Sequence, residues 1–238
     1  MSVPLERITE LEIPDDRWKD LYKIGGISSI VIAVSIILAI AAYFIWPYQD
    51  NTVFIETIFV ALQTDPLGGL LSLDISLLLI APLNLFLFLA LYVALKQVNE
   101  SYALIALILA LMAVLLVVQT RPLAELTLLS DKYAAATNAA DKAQYLAAGE
   151  SLHAYFSGTA WIIQTIFFML AGLINSLLML RTRFFSNATA WMGIGISVIG
   201  MGFFLPTIGI LLLFLNTIGT IPWCILAARD LFKLGNDL

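Results

Sequence analysis

The chain has 238 residues, of which 61% are hydrophobic and 12% charged, with a formal net charge of −5. Soluble domains carry roughly a quarter charged residues, so this composition excludes an ordinary water-soluble globule. The acidic balance, concentrated in the terminal segments and loops, leaves no basic surface and excludes nucleic acid as a partner. The single cysteine, Cys224, excludes a disulfide framework and a thiolate metal cluster.

A helix that spans roughly 30 Å of hydrocarbon needs about 20 mainly apolar residues. Six blocks meet that requirement, and they predict an all-α, polytopic membrane protein built as a six-helix bundle. Residues 1–23 form a polar juxtamembrane segment, in which Asp15 and Asp16 stand at a cap position and Trp18, Leu21 and Tyr22 repeat at helical spacing before Gly25-Gly26. That pattern reads as an interfacial lead-in helix. The first span covers 24–46 and is preceded by too much polar chain, without a small-residue cleavage pattern, to be a signal peptide. An amphipathic segment follows at 50–65, with Phe54, Ile55, Ile58, Phe59 and Leu62 on one stripe.

The second span covers 67–95 with Asp74 as its only charge, and the third covers 101–120 with none. Between 121 and 154, apolar residues at three- and four-residue spacing from Leu126 to Ala147 predict a helical cap. A hairpin that turns near Asn138 to Asp141 fits, and alanine richness leaves one longer helix open. The fourth span covers 155–180. The stretch from Ala188 to Ala228 would measure about 60 Å as one helix, twice the membrane, so it must fold back. Pro206, Thr207 and Gly209 mark the turn, dividing it into spans at 208–228 and 188–205. The membrane domain is thus 24–232, with a tail at 233–238.

Basic residues near span ends orient such a bundle. Arg7, Arg17, Lys19, Lys23, Lys96, Arg181, Arg183, Arg229 and Lys233 fall on one side, against Arg121, Lys132 and Lys142 on the other. Nine against three predicts a multi-pass protein of the cell membrane with both termini cytoplasmic. The segments 50–65 and 121–154 then lie on the extracytoplasmic side.

No HExxH, GxSxG, phosphate loop, CxxC or dinucleotide fingerprint occurs, so no catalytic set, cofactor or metal is expected. What remains are polar side chains at membrane depth. Asn84, Gln164 and Asn216 sit within about two turns of the midplane of their spans and are candidates for a ligand-binding layer, with Pro82 near Asn84 freeing a carbonyl. The competing reading is plain helix-to-helix hydrogen bonding, worth about 0.6 to 2 kcal/mol per contact. Asp74 is either a buried, proton-carrying acid or a solvated carboxylate or cap. Glu150 and His153, at i and i+3 in the cap, share the spacing of helical metal sites, although a single copy is a weak signal and reads better as a local salt bridge or solvated pair. Gly193 with Ser197 and Gly172 with Ser176 give small faces for bundle packing or a homodimer.

Two stretches carry a family likeness. Ser130-Asp131-Lys132-Tyr133-Ala134-Ala135-Ala136-Thr137, Leu146-Ala147-Ala148-Gly149-Glu150-Ser151-Leu152 and Gly158-Thr159-Ala160 form the first. Met179-Leu180-Arg181-Thr182-Arg183-Phe184-Phe185-Ser186 and the ending Pro222-Trp223-Cys224-Ile225-Leu226-Ala227-Ala228-Arg229-Asp230-Leu231-Phe232 form the second. Together they resemble the membrane family termed domain of unknown function 4386. The resemblance implies a six-span prokaryotic membrane protein and implies no activity and no catalytic residues. The expected partners are the lipid bilayer and a lipid or small amphiphilic ligand. The leading expectation is a non-enzymatic protein that binds such a ligand within the bundle for sensing or transport. A structural or partner-regulating protein is one alternative, and an intramembrane enzyme using Glu150, His153 and Asp74 is the other.

Overall fold

The computed structural model describes residues 16–45 and 53–236. Readings that rest on Arg7, Asp15, Trp46, Asp50 and the last two residues lie outside the described residues. Among the described residues all regular structure is helical. In chain order the helices are α1 Lys19–Ile45, α2 Ile55–Thr64, α3 Pro66–Ser72, α4 Ile75–Leu95, α5 Glu100–Gln119, α6 Leu123–Ala135, α7 Ala139–His153, α8 Thr159–Met179, α9 Asn187–Met201 and α10 Gly209–Asn236. Short 3-10 turns occupy Asp16–Trp18, Ala154–Ser157 and Gly202–Phe204.

Six helical stretches are long and apolar enough to cross a membrane: Lys19–Ile45, Ile75–Leu95, Glu100–Ala135, Ala139–Met179, Asn187–Phe204 and Gly209–Asn236. The third and fourth include α6 and α7 as well as the strongly apolar α5 and α8. Large apolar side chains such as Ile27, Val31, Ile37 and Leu38 on α1 stay exposed. In water such a surface would aggregate, whereas hydrocarbon accepts it.

The structure redraws several sequence-derived boundaries. Gly25-Gly26 does not separate a lead-in helix from the first span; α1 runs through it without interruption. The reason is packing: a side chain at Gly25 would meet Ala90, and one at Gly26 would meet the Phe232 ring at 2.9 Å. The second span is two helices, α3 and α4, because the chain breaks at Leu73-Asp74, where Asp74 adopts φ 66°. Aspartate is among the few residues that enter this left-handed region at modest cost. The fourth span begins at Thr159, after a 3-10 turn, and the last helix continues to Asn236 through most of the expected tail. The segment 121–154 is a hairpin whose helices stop at Ala135 and resume at Ala139, slightly before the predicted turn. Asn138 caps the second arm by accepting the Asp141 N–H at 2.8 Å.

The chain divides into two compact units, and the division falls inside α1, α4, α5 and α8. The first unit comprises residues up to Val34, Pro82–Val114 and Thr165–Leu238. Its packing relies on small residues. A side chain at Gly172 of α8 would meet the Ser197 hydroxyl of α9 at 2.9 Å, and one at Gly193 of α9 would meet Ser176 of α8 and the Trp223 indole nitrogen. The two small-residue faces therefore meet each other within one chain. The α9–α10 hairpin turns through Leu205–Ile208, where Thr207 has φ 74° and the Gly209 N–H closes onto the Leu205 carbonyl at 2.9 Å.

The foot of that hairpin is held by Asp230, which is 1% exposed. Its Oδ2 accepts the Ser186 N–H at 2.9 Å and the Thr189 hydroxyl at 2.5 Å, while Oδ1 takes Arg229 Nε and Nη2 at 3.0 and 2.8 Å. Four donor contacts to this one side chain offset the cost of taking it out of water.

The second unit comprises Ser35–Ala81 and Leu115–Gln164. Its core gathers Ile58, Phe59 and Leu62 of α2 with Leu123 and Leu126 of α6 and Phe156. The predicted amphipathic stripe is thus spent on protein, except for Phe54, which caps α2 and is exposed. Gly149 lets α7 approach α2: a side chain there would meet the Phe59 ring at 2.6 Å and Ile55 at 2.8 Å.

The close approach at Gly193 gives a test. We expect Gly193→Val to destabilise the detergent-solubilised protein by about 2 kcal/mol through overpacking, read as a lower thermal midpoint. Gly195→Val, where nothing lies within 4 Å, should stay within about 0.5 kcal/mol of the parent.

Candidate functional site

The most unusual chemistry of the second unit centres on Arg121, which follows Thr120 just after α5 and is 5% exposed. Its guanidinium carbon lies 4.7 Å from the Phe156 ring centre and 4.8 Å from that of Trp161. Nη2 donates to Asp74 Oδ2 at 3.0 Å and Nη1 to the Thr120 carbonyl at 3.0 Å. Nε is buried without a hydrogen-bond partner. Guanidinium is weakly hydrated and stacks on aromatic faces, which is why arginine rather than lysine suits such a cage.

The chain builds this arrangement from four places. The break between α3 and α4 turns the Asp74 carboxylate out of the helical ladder. Pro122, the residue before α6, separates α5 from α6 beside Arg121. The 3-10 turn at Ala154–Ser157 brings Phe156 inward, and the first turn of α8 supplies Trp161. Asp74 stands at the residue before α4, where its carbonyl accepts the Leu77 N–H at 2.9 Å, and its side chain, 20% exposed, is paired with Arg121.

His153 extends the stack, its ring centre 5.4 Å from that of Phe156. Burial holds this imidazole below its ordinary pKa, and its Nε2 has no partner. Glu150, one turn earlier, is exposed. Both line a hollow of about 370 Å³ together with Val53, Phe54 and Ile55. Asp74 does not line that hollow. Among the described residues, no three His, Cys, Asp or Glu side chains come together closely enough to hold a metal ion.

A second concavity, of about 430 Å³, is lined by Leu116 and Gln119 of α5, Ser151 and Ala154 on the α7 side, and Tyr155, Gly158, Thr159, Ala160 and Ile163 leading into α8. Its walls are mostly apolar, and Gln119, Ser151 and Thr159 give it a polar side. Gln164, next to Ile163, is 3% exposed, and its Oε1 has no hydrogen-bond partner.

The other amides behave differently. Asn216, in the first unit, donates to the Ile196 carbonyl at 2.7 Å and lies beside Met169 and Gly200, so it ties α10 to α9. Asn84 is half-buried in α4 and is hydrogen-bonded or otherwise engaged.

On the flank of the cage, Gln63 Nε2 donates to Ser130 Oγ at 3.1 Å and Asp131 Oδ1 at 2.7 Å, and Ser130 donates to the Phe59 carbonyl at 2.8 Å. Tyr133 donates to Glu56, which raises its hydroxyl pKa, and Lys142 sits over the Tyr133 ring. These contacts fasten α2 to the hairpin.

Sequence reasoning missed the cage. Arg121 entered only as an orientation signal, yet an arginine at the end of one uncharged span and a lone aspartate in another were the available clue. Phe156 and Trp161 carried no local signal, since aromatic residues near membrane interfaces are common.

A family model for the domain of unknown function DUF4386 matches residues 24–228, and the chain belongs to that family. No curated protein and no solved structure matches it.

Removing the Asp74 charge would leave Arg121 buried without its counter-ion. We expect Asp74→Asn, which preserves shape and tolerance of positive φ, to cost about 3 kcal/mol of stability, measured by thermal or denaturant unfolding in detergent. Arg121→Lys should also destabilise, because the ammonium cannot stack on both rings.

Proposed function

We propose that this DUF4386 protein is a non-enzymatic, multi-pass protein of the cell membrane that holds a small apolar or amphiphilic molecule for sensing or transport. Its bound molecule lies in the 430 Å³ groove between the end of α5 and the start of α8. That groove is the observation that carries the reading. Small-molecule sites are typically concave, of roughly 300 to 1,000 Å³, mainly apolar and furnished with a few polar groups. Gln119, Ser151 and Thr159 supply such groups here, and the unpartnered Gln164 Oε1 offers a further acceptor next to the wall. The caged Arg121 fixes the neighbouring turn, so the walls are held rigid.

The orientation follows from charge. Of the eleven basic residues described, Arg17, Lys19, Lys23, Lys96, Arg181, Arg183, Arg229 and Lys233 belong to the first unit, which includes both described ends of the chain. By the positive-inside rule these residues, and the helix ends that carry them, lie in the cytoplasm.

An intramembrane enzyme that uses Glu150, His153 and Asp74 finds little support. The carboxylate of Asp74 is committed to Arg121, while Glu150 and His153 line a separate hollow.

Two experiments test the proposal. Native mass spectrometry of the detergent-extracted protein should show a retained small molecule, and Ala154→Trp, introduced at an exposed wall position, should reduce its occupancy at least about tenfold. A parent protein free of any adduct would sink the ligand reading. For orientation, Asn138→Cys should react with an impermeant thiol reagent added outside intact cells, the native Cys224 being buried. Labelling only after the cytoplasmic face is opened would reverse the topology.

A further inference from the structure

A groove of about 430 Å³ in the first unit is lined by Ile30 of α1 and by Ile225, Ala228, Arg229, Phe232 and Lys233 of α10. Small residues shape it: Ala228 in its lining is fully buried, and the Phe232 ring lies against Gly26, where a side chain would meet it at 2.9 Å. Its walls are apolar, and Ile30 and Ile225 remain exposed on helices long and apolar enough to cross a membrane. Its rim is cationic. Arg229 and Lys233 stand at i and i+4, on one helix face.

Arg229 is prepared for an anion. Nε and Nη2 are fixed on Asp230 and the Ser186 hydroxyl, yet the side chain is 46% exposed, and Nη1 has no partner among the described residues. Both oxygens of Asp230 are occupied by donors, so this carboxylate orients Arg229, and Lys233 has no acidic partner among the described residues. The stem of Lys23 lies against Gly235, within 2.9 Å of where a side chain there would begin, and adds a third cation at the same end.

Two cations above an apolar slot match one chemistry: a phosphodiester headgroup joined to an acyl chain. We infer that this groove seats an anionic phospholipid, with its phosphate on Arg229 and Lys233 and its acyl chain along Ile225 and Ile30. A free phosphate would use the rim alone and leave the apolar walls unmatched. A second copy of the chain would bring the same cations together and repel itself. The site is independent of the groove between α5 and α8.

The test is native mass spectrometry of the full chain in detergent, titrated with phosphatidylglycerol or with phosphatidylcholine of the same acyl chains. Phosphatidylglycerol should bind about fivefold more tightly, the scale set by one basic residue at a membrane surface. Lys233→Gln and Lys233→Ala, both at an exposed position, should reduce that preference below about twofold while helicity by circular dichroism is unchanged. Lys132→Gln removes the same charge from the other unit and should leave the preference intact. Equal binding of the two lipids by the parent overturns the inference, as does an equal loss in Lys132→Gln. Displacement of phosphatidylglycerol by millimolar glycerol phosphate would reduce the site to a headgroup subsite and also overturn it.

Discussion

Every backbone N–H and C=O of a chain immersed in hydrocarbon must find its partner within the protein. That constraint decides which parts of this structure are regular and which are allowed to depart from regularity. The helices satisfy it segment by segment. Departures satisfy it locally: at the break at Leu73-Asp74 the Leu73 and Asp74 N–H groups close onto the Gly69 and Leu71 carbonyls, and at the exposed turn through Leu205–Ile208 the Leu205 and Gly209 N–H groups close onto the Gly202 and Leu205 carbonyls. The first of these matters most, because releasing Asp74 from the helix frees its carboxylate to neutralise Arg121. A buried arginine would otherwise be among the most expensive groups in the molecule.

The same economy of exposed polarity shapes the packing. Glycine and serine on α8 and α9 bring two backbones close enough for dispersion contacts to replace a hydrophobic driving force that lipid does not supply. In the second unit the residues are larger, and the driving force is ordinary apolar burial of Ile58, Phe59 and Leu126 under a hairpin with a polar outer surface. One chain thus uses two packing strategies.

Much of this was legible from residues alone. Six apolar blocks, the fold-back at Pro206-Thr207 and the helicity of 121–154 follow from length, periodicity and turn chemistry, all of which are local. The misplaced boundaries share a cause. Gly25-Gly26 looks like an interruption until Ala90 and Phe232 are known to press against it, and Leu73-Asp74 lacks any proline or glycine to announce a break. The Asp74–Arg121 and Ser186–Asp230 pairings join residues more than forty positions apart and leave no periodic trace. Asn216 was recognised as a polar group at depth, but which carbonyl it satisfies depends on how α9 and α10 meet.

The clamp around Asp230 has an implication for biogenesis. Ser186 and Thr189 open α9, and their donors are satisfied by a residue that the ribosome adds more than forty positions later. Until α10 has been made through Asp230, the first turn of α9 lacks the acceptor that completes it. The start of α9 is therefore completed only by a carboxylate that the last helix carries.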